Sequence, residues 1–266
     1  MDEGRHDAWR SATSYDAYMG RWSRRIAPAF LDWLAAPAGL DWLEVGCGTG
    51  ALSRAILGRA PASLLAIDPS ADFVAAARGD GVDTRAEFHV GDALALPADD
   101  ASRDVVVSGL VLNFVPDRGR ALAEMRRALR PGGRLGFYVW DYPGGGLQFL
   151  RAFWEVAAAL DPDAARLTER ARFPDVAPEP LTRIAREAGF AGVEHVALET
   201  ETRFEDFADY WRPFTLGAGP APGYCASLVP EARDSLRAGL EAELPRQADG
   251  AIVMTARAWA IRGRAP

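Results

Sequence analysis

Residues 41–56 read DWLEVGCGTGALSRAI: a β-type apolar run, then glycines at 46, 48 and 50, then a segment of helical periodicity. A strand that turns through glycines into a helix brings backbone N–H groups and a helix N-terminus close to a ligand, because no side chain blocks the approach. Outward from this stretch, short apolar runs alternate with amphipathic helical segments from about residue 40 to 140. LDWLEV, SLLAID, RAEFHVGD, DVVVSGLV and GRLGFYVWD read as strands, and GALSRAILGRA, SADFVAAARG and GRALAEMRRALR as helices. That alternation predicts an α/β fold with an open, doubly wound sheet covered by helices. After Asp141 the regularity breaks at YPGGG, and a helix is expected over LQFLRAFWEVAAAL with Leu147, Leu150, Phe153, Trp154, Ala157 and Leu160 on one face.

The glycines alone do not choose the ligand. GCGTGA, residues 46–51, satisfies the dinucleotide pattern G-x-G-x-x-G/A, with Asp68 at about the distance expected of a ribose-binding acid. No G-K-[ST] follows, which excludes a P-loop. Glu44, however, sets a carboxylate at the carboxyl end of the first strand, where a pyrophosphate loop avoids negative charge, and GDALALP (91–97) adds Asp92 at the end of the third. Ligands of such sheets lie beyond these strand ends. Glu44, Asp68 and Asp92 are therefore expected to converge on one small molecule with hydroxyls, an amino group, an exocyclic amine and net positive charge. S-adenosylmethionine (SAM) has those groups.

LEVGCGTG, AIDPS, GDALALP, DVVVSGLVLNFVPD and LRPGGRLGF follow one another in this order across about 100 residues. In these motifs the chain resembles the class I SAM-dependent methyltransferases, in the group with small-molecule substrates. The resemblance implies a Rossmann-like seven-stranded sheet of order 3-2-1-4-5-7-6 with the last strand antiparallel, an N-terminal helical segment and a helical lid insertion. It implies one methyltransferase domain over 1–266: cofactor-covering helices in 1–38, a SAM-binding core in 39–141, lid and substrate segments in 142–178 and 204–228, and the remainder of the core in 179–203 and 229–266. Gly46, Cys47 and Gly48 would pass under the methionine moiety, and Glu44 would hold the loop or the ammonium group. Asp68 would accept both ribose hydroxyls, with Pro69 and Ser70 shaping the adenine edge. Asp92 would take the adenine amine, Ala93 would offer a backbone N–H, and Ser108, Gly109 and Leu110 would lie beside the sulfonium. The segment SYDAYMGRWSRRIAPAFLDWL resembles the helix that closes over the cofactor in this group. There Arg21 would pair with the SAM carboxylate, while Tyr15, Tyr18, Met19 and Trp22 would cover the sulfonium or else pack the helix onto the domain.

Methyl transfer from a sulfonium needs placement of a nucleophile, and a general base only if the acceptor carries a proton at attack. His6, His89 and His195 each read as structural. Asp141 is the candidate catalytic residue, as a base or as the group that holds an amine, although an Asp before Pro-Gly also forms ordinary turns. Tyr142, Phe153, Trp154, Trp211 and Phe214 are the candidate substrate residues, which suggests an aromatic or hydrophobic acceptor. PFTLGAGPAPGY (213–224) is the candidate mobile piece. Cys47 needs only to be small.

The bulk properties set the class. The chain has 266 residues and a formal net charge of -7, with scattered arginines, which argues against tight nucleic-acid binding. Two cysteines make no disulfide framework and no metal spacing, so a reducing cytosol is expected. The acidic, polar start lacks a secretory pattern, and the longest apolar stretch, 105–115, is far short of the ~20 residues that span a bilayer. The expectation is a soluble cytoplasmic enzyme, monomer or homodimer, that methylates O, N or C of a small molecule, without metal, nucleic acid or membrane. The alternatives are a SAM-binding cyclase or pericyclase that transfers no methyl group, and an NAD-dependent oxidoreductase.

Overall fold

Seven apolar runs form the strands β1 (Asp41–Val45), β2 (Ser63–Asp68), β3 (Ala86–Val90), β4 (Arg103–Gly109), β5 (Leu129–Trp140), β6 (Ala191–Phe204) and β7 (Ile252–Arg264). They make one sheet in the order β3-β2-β1-β4-β5-β7-β6. The computed structural model describes residues 12–79, 83–217 and 219–266. β1 to β5 pair in parallel, and β7 returns antiparallel to β5. In β1, β2 and β4 burial is continuous over Trp42–Val45, Leu64–Asp68 and Val105–Ser108. That is the mark of parallel strands covered on both faces. Val45 stands opposite Ile67, and Asp68 opposite Val90, so the carboxyl ends of β1, β2 and β3 come level at one edge of the sheet.

The helices, in chain order, are α1 (Ala12–Tyr15), α2 (Arg21–Leu34), α3 (Ala51–Leu57), α4 (Ala71–Arg78), α5 (Arg118–Ala128), α6 (Gln148–Leu160), α7 (Glu169–Arg172), α8 (Pro178–Glu187), α9 (Phe207–Trp211), α10 (Pro220–Ser227) and α11 (Pro230–Glu243). Local chemistry explains several boundaries. Ser70 and Asp117 cap α4 and α5 by accepting from the N–H of Phe73 and Arg120. Proline stands at the first turn of α8, α10 and α11, where its missing N–H costs nothing.

Two compact units emerge. One comprises Ser23–Trp140, Asp175–Leu198 and Ala258–Pro266 and carries β1 to β5. The other, the helical unit, comprises Met1–Trp22, Asp141–Pro174 and Glu199–Arg257. The core of the helical unit is aromatic: Phe153 stacks on Phe214 with centroids 4.4 Å apart, Trp22 meets Phe204 edge-on at 5.2 Å, and Tyr18 lies against Phe214 at 5.6 Å. Such pairs add roughly 0.5–1.5 kcal/mol each beyond the area they bury. The buried Tyr210 hydroxyl donates to the Phe149 carbonyl at 2.8 Å, which satisfies both polar groups inside this core.

Three local expectations shift. β5 begins at Leu129, ahead of the run read as its start, and its pairing with β4 skips register between Arg103 and Val105. The buried face of α6 includes Phe149, whereas Leu160 is 54% exposed. Residues 220–224, the end of the candidate mobile piece, lie in α10, which opens on Pro220 and buries Tyr224 and Cys225.

Candidate functional site

In the sheet-bearing unit the chain leaves β1 into a left-handed Gly46, with φ +79°. A Cβ at Gly46 would lie 2.4 Å from Val111 Cγ2, so any side chain here collides with the segment that follows β4. The N–H groups of Gly46 and Cys47 both donate to the carbonyl of Ile67 at 2.8 Å. Gly48 then donates its N–H to Asp68 Oδ2 at 2.9 Å, while Ser70 N–H donates to Asp68 Oδ1 at 3.0 Å. Gly48 is itself left-handed, and a Cβ placed on it would meet nothing within 4 Å, so the loop has an open face there.

The charges under this loop are costly. Glu44 is buried and accepts a hydrogen bond from Ser53 Oγ of α3. Burial pushes its carboxyl up to about 8; the Ser53 hydrogen bond and Arg54 oppose this, and Asp68 adds to it. Asp68 is also raised by burial, against the pull of its two backbone N–H donors. The Cys47 thiol is pushed far up by burial and then by Glu44 and Asp68, so it is not a nucleophile. Both carboxyls thus lie where burial disfavours their charged forms.

Near the carboxyl end of β4, Ser108 is fully buried, and its Oγ has no hydrogen-bond partner among the described residues; the same holds for Asn113 Nδ2 past the strand. Orphaned groups of this kind cost roughly 1–3 kcal/mol each and call for a completing partner. Gly109 ends the strand, and Leu110 takes a left-handed φ of +63° while its N–H donates to Tyr138 O at 2.7 Å. Non-glycine residues rarely hold this conformation, and they gather at functional turns. Asp92 is exposed and accepts from Leu94 N–H at 2.9 Å, with Ala93 inside that turn and Pro69 exposed just past Asp68. Sequence reasoning missed Ser53, Val111 and Asn113. Ser53 lies on the face of α3 that packs onto β1, a position visible only once the turn is folded.

A methyltransferase-domain family model matches residues 43–137, the span that builds this loop. An uncharacterized methyltransferase of Mycobacterium tuberculosis is 32% identical over 177 residues, which cover 65% of this chain and 68% of that protein. A ubiquinone/menaquinone biosynthesis C-methyltransferase of Paracoccus denitrificans is 33% identical over 186 residues, 62% of this chain and 72% of its own length. This chain belongs to the class I SAM-dependent methyltransferases. Its fold is also that of phosphoethanolamine N-methyltransferase 2 of Haemonchus contortus, solved in complex with SAM, with a TM-score of 0.61 and 18% identity over 100% of this chain and 59% of that one. SAM is accordingly the cofactor of this methyltransferase, and the donor set suits it: buried acids for a cationic ligand, an open glycine face and backbone-anchored Asp68.

In the helical unit the structure reassigns several expected residues. Tyr18 and Met19 are buried, Tyr18 against Phe149 and Phe214, and Tyr18 is raised well above the usual phenol range, mainly by burial and then by Glu169. Arg21, expected to meet the SAM carboxylate, is held by Asp209 through NH1, at 3.0 and 3.2 Å from its two oxygens, while its buried Nε and NH2 have no hydrogen-bond partner among the described residues. Its guanidinium lies over the rings of Trp22 and Phe204 at 4.3 and 4.5 Å. Phe153 and Phe214 are buried in the aromatic core, and Trp211 stacks on Phe207.

Tyr142 and Trp154 do line a cavity of about 290 Å³, together with Leu147, Leu150, Ala158, Ala165 and Glu169. Glu169, absent from the sequence expectations, is buried and accepts from Trp154 Nε1 at 2.7 Å.

Asp141 also borders this cavity, and its carboxylate is held within the chain. Its Oδ1 accepts from Gly144 N–H at 2.9 Å and its Oδ2 from Arg257 Nε at 2.8 Å. A Cβ on Gly144 would stand 2.4 Å from Asp141 Oδ2, which explains the glycines of YPGGG as a wrap around this group. His89 lies exposed beside Glu87, and His195 meets the Trp259 ring edge-on at 6.1 Å. His6 lies outside the described residues. Among the described residues no group of His, Cys, Asp and Glu is placed to hold a metal, and no helix is long and apolar enough to cross a membrane.

Two outcomes are expected. In the folded protein Glu44 keeps its proton up to about pH 8, whereas the unfolded chain releases it near the ordinary 4.5. The folded state thus binds the extra proton between these values, so stability without SAM falls as pH rises through that window and levels off above it. Glu44→Gln should flatten the slope, with its advantage over wild type growing from pH 5 to pH 8 in urea titrations. Asp141→Asn should lower unfolding free energy by about 1–3 kcal/mol, through the weakened pair with a partly exposed Arg257. A loss of kcat with unchanged stability would restore Asp141 as a base.

Proposed function

We propose that this methyltransferase transfers the methyl group of SAM to an O, N or C atom of a small, aromatic or largely apolar acceptor, and that the chain works as one methyltransferase domain over its whole length. The carrying observation is the cavity whose exposed wall is mostly apolar, from Leu147, Leu150, Trp154, Ala158 and Ala165, with Asp141, Arg151, Glu155, Thr168, Glu169 and Arg170 also lining it. Such a wall gains free energy by excluding water from an apolar ring and offers little to a hydrophilic substrate. Glu169, fixed by the Trp154 indole, would orient one polar group of the acceptor.

When bound, SAM supplies a methyl group already activated on a sulfonium. The chain's part is to hold and orient. Asp68, braced by the N–H groups of Gly48 and Ser70, keeps a second lone pair on each oxygen for the ribose hydroxyls. Glu44 would give up its proton as the ammonium group arrives, because a nearby cation favours the carboxylate form. Gly46, Cys47 and Gly48 would shape the floor beneath the methionine moiety, Pro69, Ser70, Asp92 and Ala93 the adenine end, and Ser108 to Leu110 the sulfonium end. With Asp141 tied to Arg257, acceptors that need no protein base at attack are favoured. A ring carbon is one, and the name of the Paracoccus relative specifies C-methylation. Two buried free thiols suit a reducing cytoplasm.

The test is a thermal-shift and turnover series. SAM and its demethylated product should stabilise the protein while NAD does not, and demethylated product should form only when an acceptor is added. Electron-rich phenols and hydroquinones should outperform hydrophilic amines; the reverse order would sink the acceptor assignment. Turnover of a substrate with SAM unconsumed would replace methyl transfer by cyclisation. Asp68→Ala should weaken SAM binding ten-fold or more, since each lost bond to a charged group is worth about 1.5–3 kcal/mol.

A further inference from the structure

A second concave site lies in the sheet-bearing unit, at the edge opposite the glycine loop. Arg134 stands near the start of the paired part of β5, level with Val105 of β4 and Arg264 of β7, and these positions neighbour the beginning of β1. Arg134, Arg262 and Arg264 line a cavity of about 330 Å³ with Leu34, Gly192 and Glu194. That volume falls within the range of small-molecule sites, about 300–1,000 Å³.

The charge here is unbalanced. Arg262 is satisfied: Nε and NH2 donate to Glu194 Oε2 at 3.0 and 2.6 Å, and NH1 donates to the Trp33 carbonyl at 2.6 Å. Arg134 uses only NH1, on the carbonyls of Leu34 and Ala35 at 3.2 and 3.0 Å. Arg264 likewise uses only NH1, on the Gly132 carbonyl at 3.1 Å. Among the described residues neither Arg134 nor Arg264 has a carboxylate partner, and Nε and NH2 of each make no hydrogen bond. Three guanidinium groups less the one carboxylate of Glu194 leave two positive charges around the cavity, in a chain whose formal net charge is -7. The strain registers on Arg134, whose guanidinium is lowered by burial and then by repulsion from Arg264 and Arg262.

We propose that this cavity binds the phosphate group of a small phosphorylated molecule, gripped by the unused edges of Arg134 and Arg264. A guanidinium presents two parallel N–H donors that match phosphate oxygens, and a phosphate monoester carries about -1.5 to -2 charges near pH 7. A dianion therefore neutralises the two excess charges, which a carboxylate does not. The site lies away from the SAM loop and takes no part in the chemistry assigned there.

Isothermal titration at matched ionic strength tests this, with glycerol 3-phosphate, inorganic phosphate and acetate as probes. Wild type should bind glycerol 3-phosphate at least as tightly as inorganic phosphate, with acetate far weaker. Arg264→Gln should weaken phosphate-ester binding about ten-fold or more, and Glu194→Gln, which removes the competing carboxylate, should strengthen it several-fold. Both variants should keep wild-type affinity for SAM. Equal binding of acetate and phosphates, preference for free phosphate, or an unchanged affinity in Arg264→Gln overturns the proposal. If Arg264→Gln does not fold, Glu194→Gln decides: tighter binding supports the site, and unchanged or weaker binding overturns it.

Discussion

The turn after β1 hangs on two acceptors at the end of β2. The carbonyl of Ile67 takes the N–H groups of both Gly46 and Cys47, and the carboxylate of Asp68 takes that of Gly48. A loop cannot leave such donors unpaired beside a buried strand end. Satisfying them from the neighbouring strand pins the loop to the parallel pairing itself. Register and site are therefore one constraint: a slip of β2 by one residue would remove Asp68 from the loop and turn its side chain to the other face of the sheet.

The same arrangement explains why acids collect where burial penalises them. Glu44 sits below the loop with a hydroxyl from Ser53 as its buried partner, and Asp68 faces the loop from β2. Burial therefore favours the protonated, neutral form of Glu44, with the Ser53 hydroxyl and Arg54 pulling the other way.

Much of this was legible in the sequence because the relevant residues lie in short, ordered motifs. The strands, the glycine turn and the places of Glu44, Asp68 and Asp92 near strand ends each depend on neighbours within a few positions or on the period of a strand, whereas the strand order came from the family resemblance. What was not legible depends on tertiary pairing. Asp141 stands beside a pocket, yet its carboxylate is bonded to Arg257 of β7, more than a hundred residues along the chain. Phe153 and Phe214 looked like a pocket wall because composition does not say which aromatic rings face each other. Arg21 met Asp209, far along the chain, for the same reason. The family model spans residues 43–137, so the aromatic insertions lie outside it.

The helical unit is assembled from three separated stretches of chain, with Trp22 from the first, Phe149 from the second and Phe204 from the third meeting in one aromatic cluster. No single stretch can close that cluster, so its rings have no stable home while the chain is only part made. The contacts of Trp22 span most of the chain, so this cluster can be complete only once residues beyond Phe204 have been made. A residue placed near the beginning is thus answered only near the end.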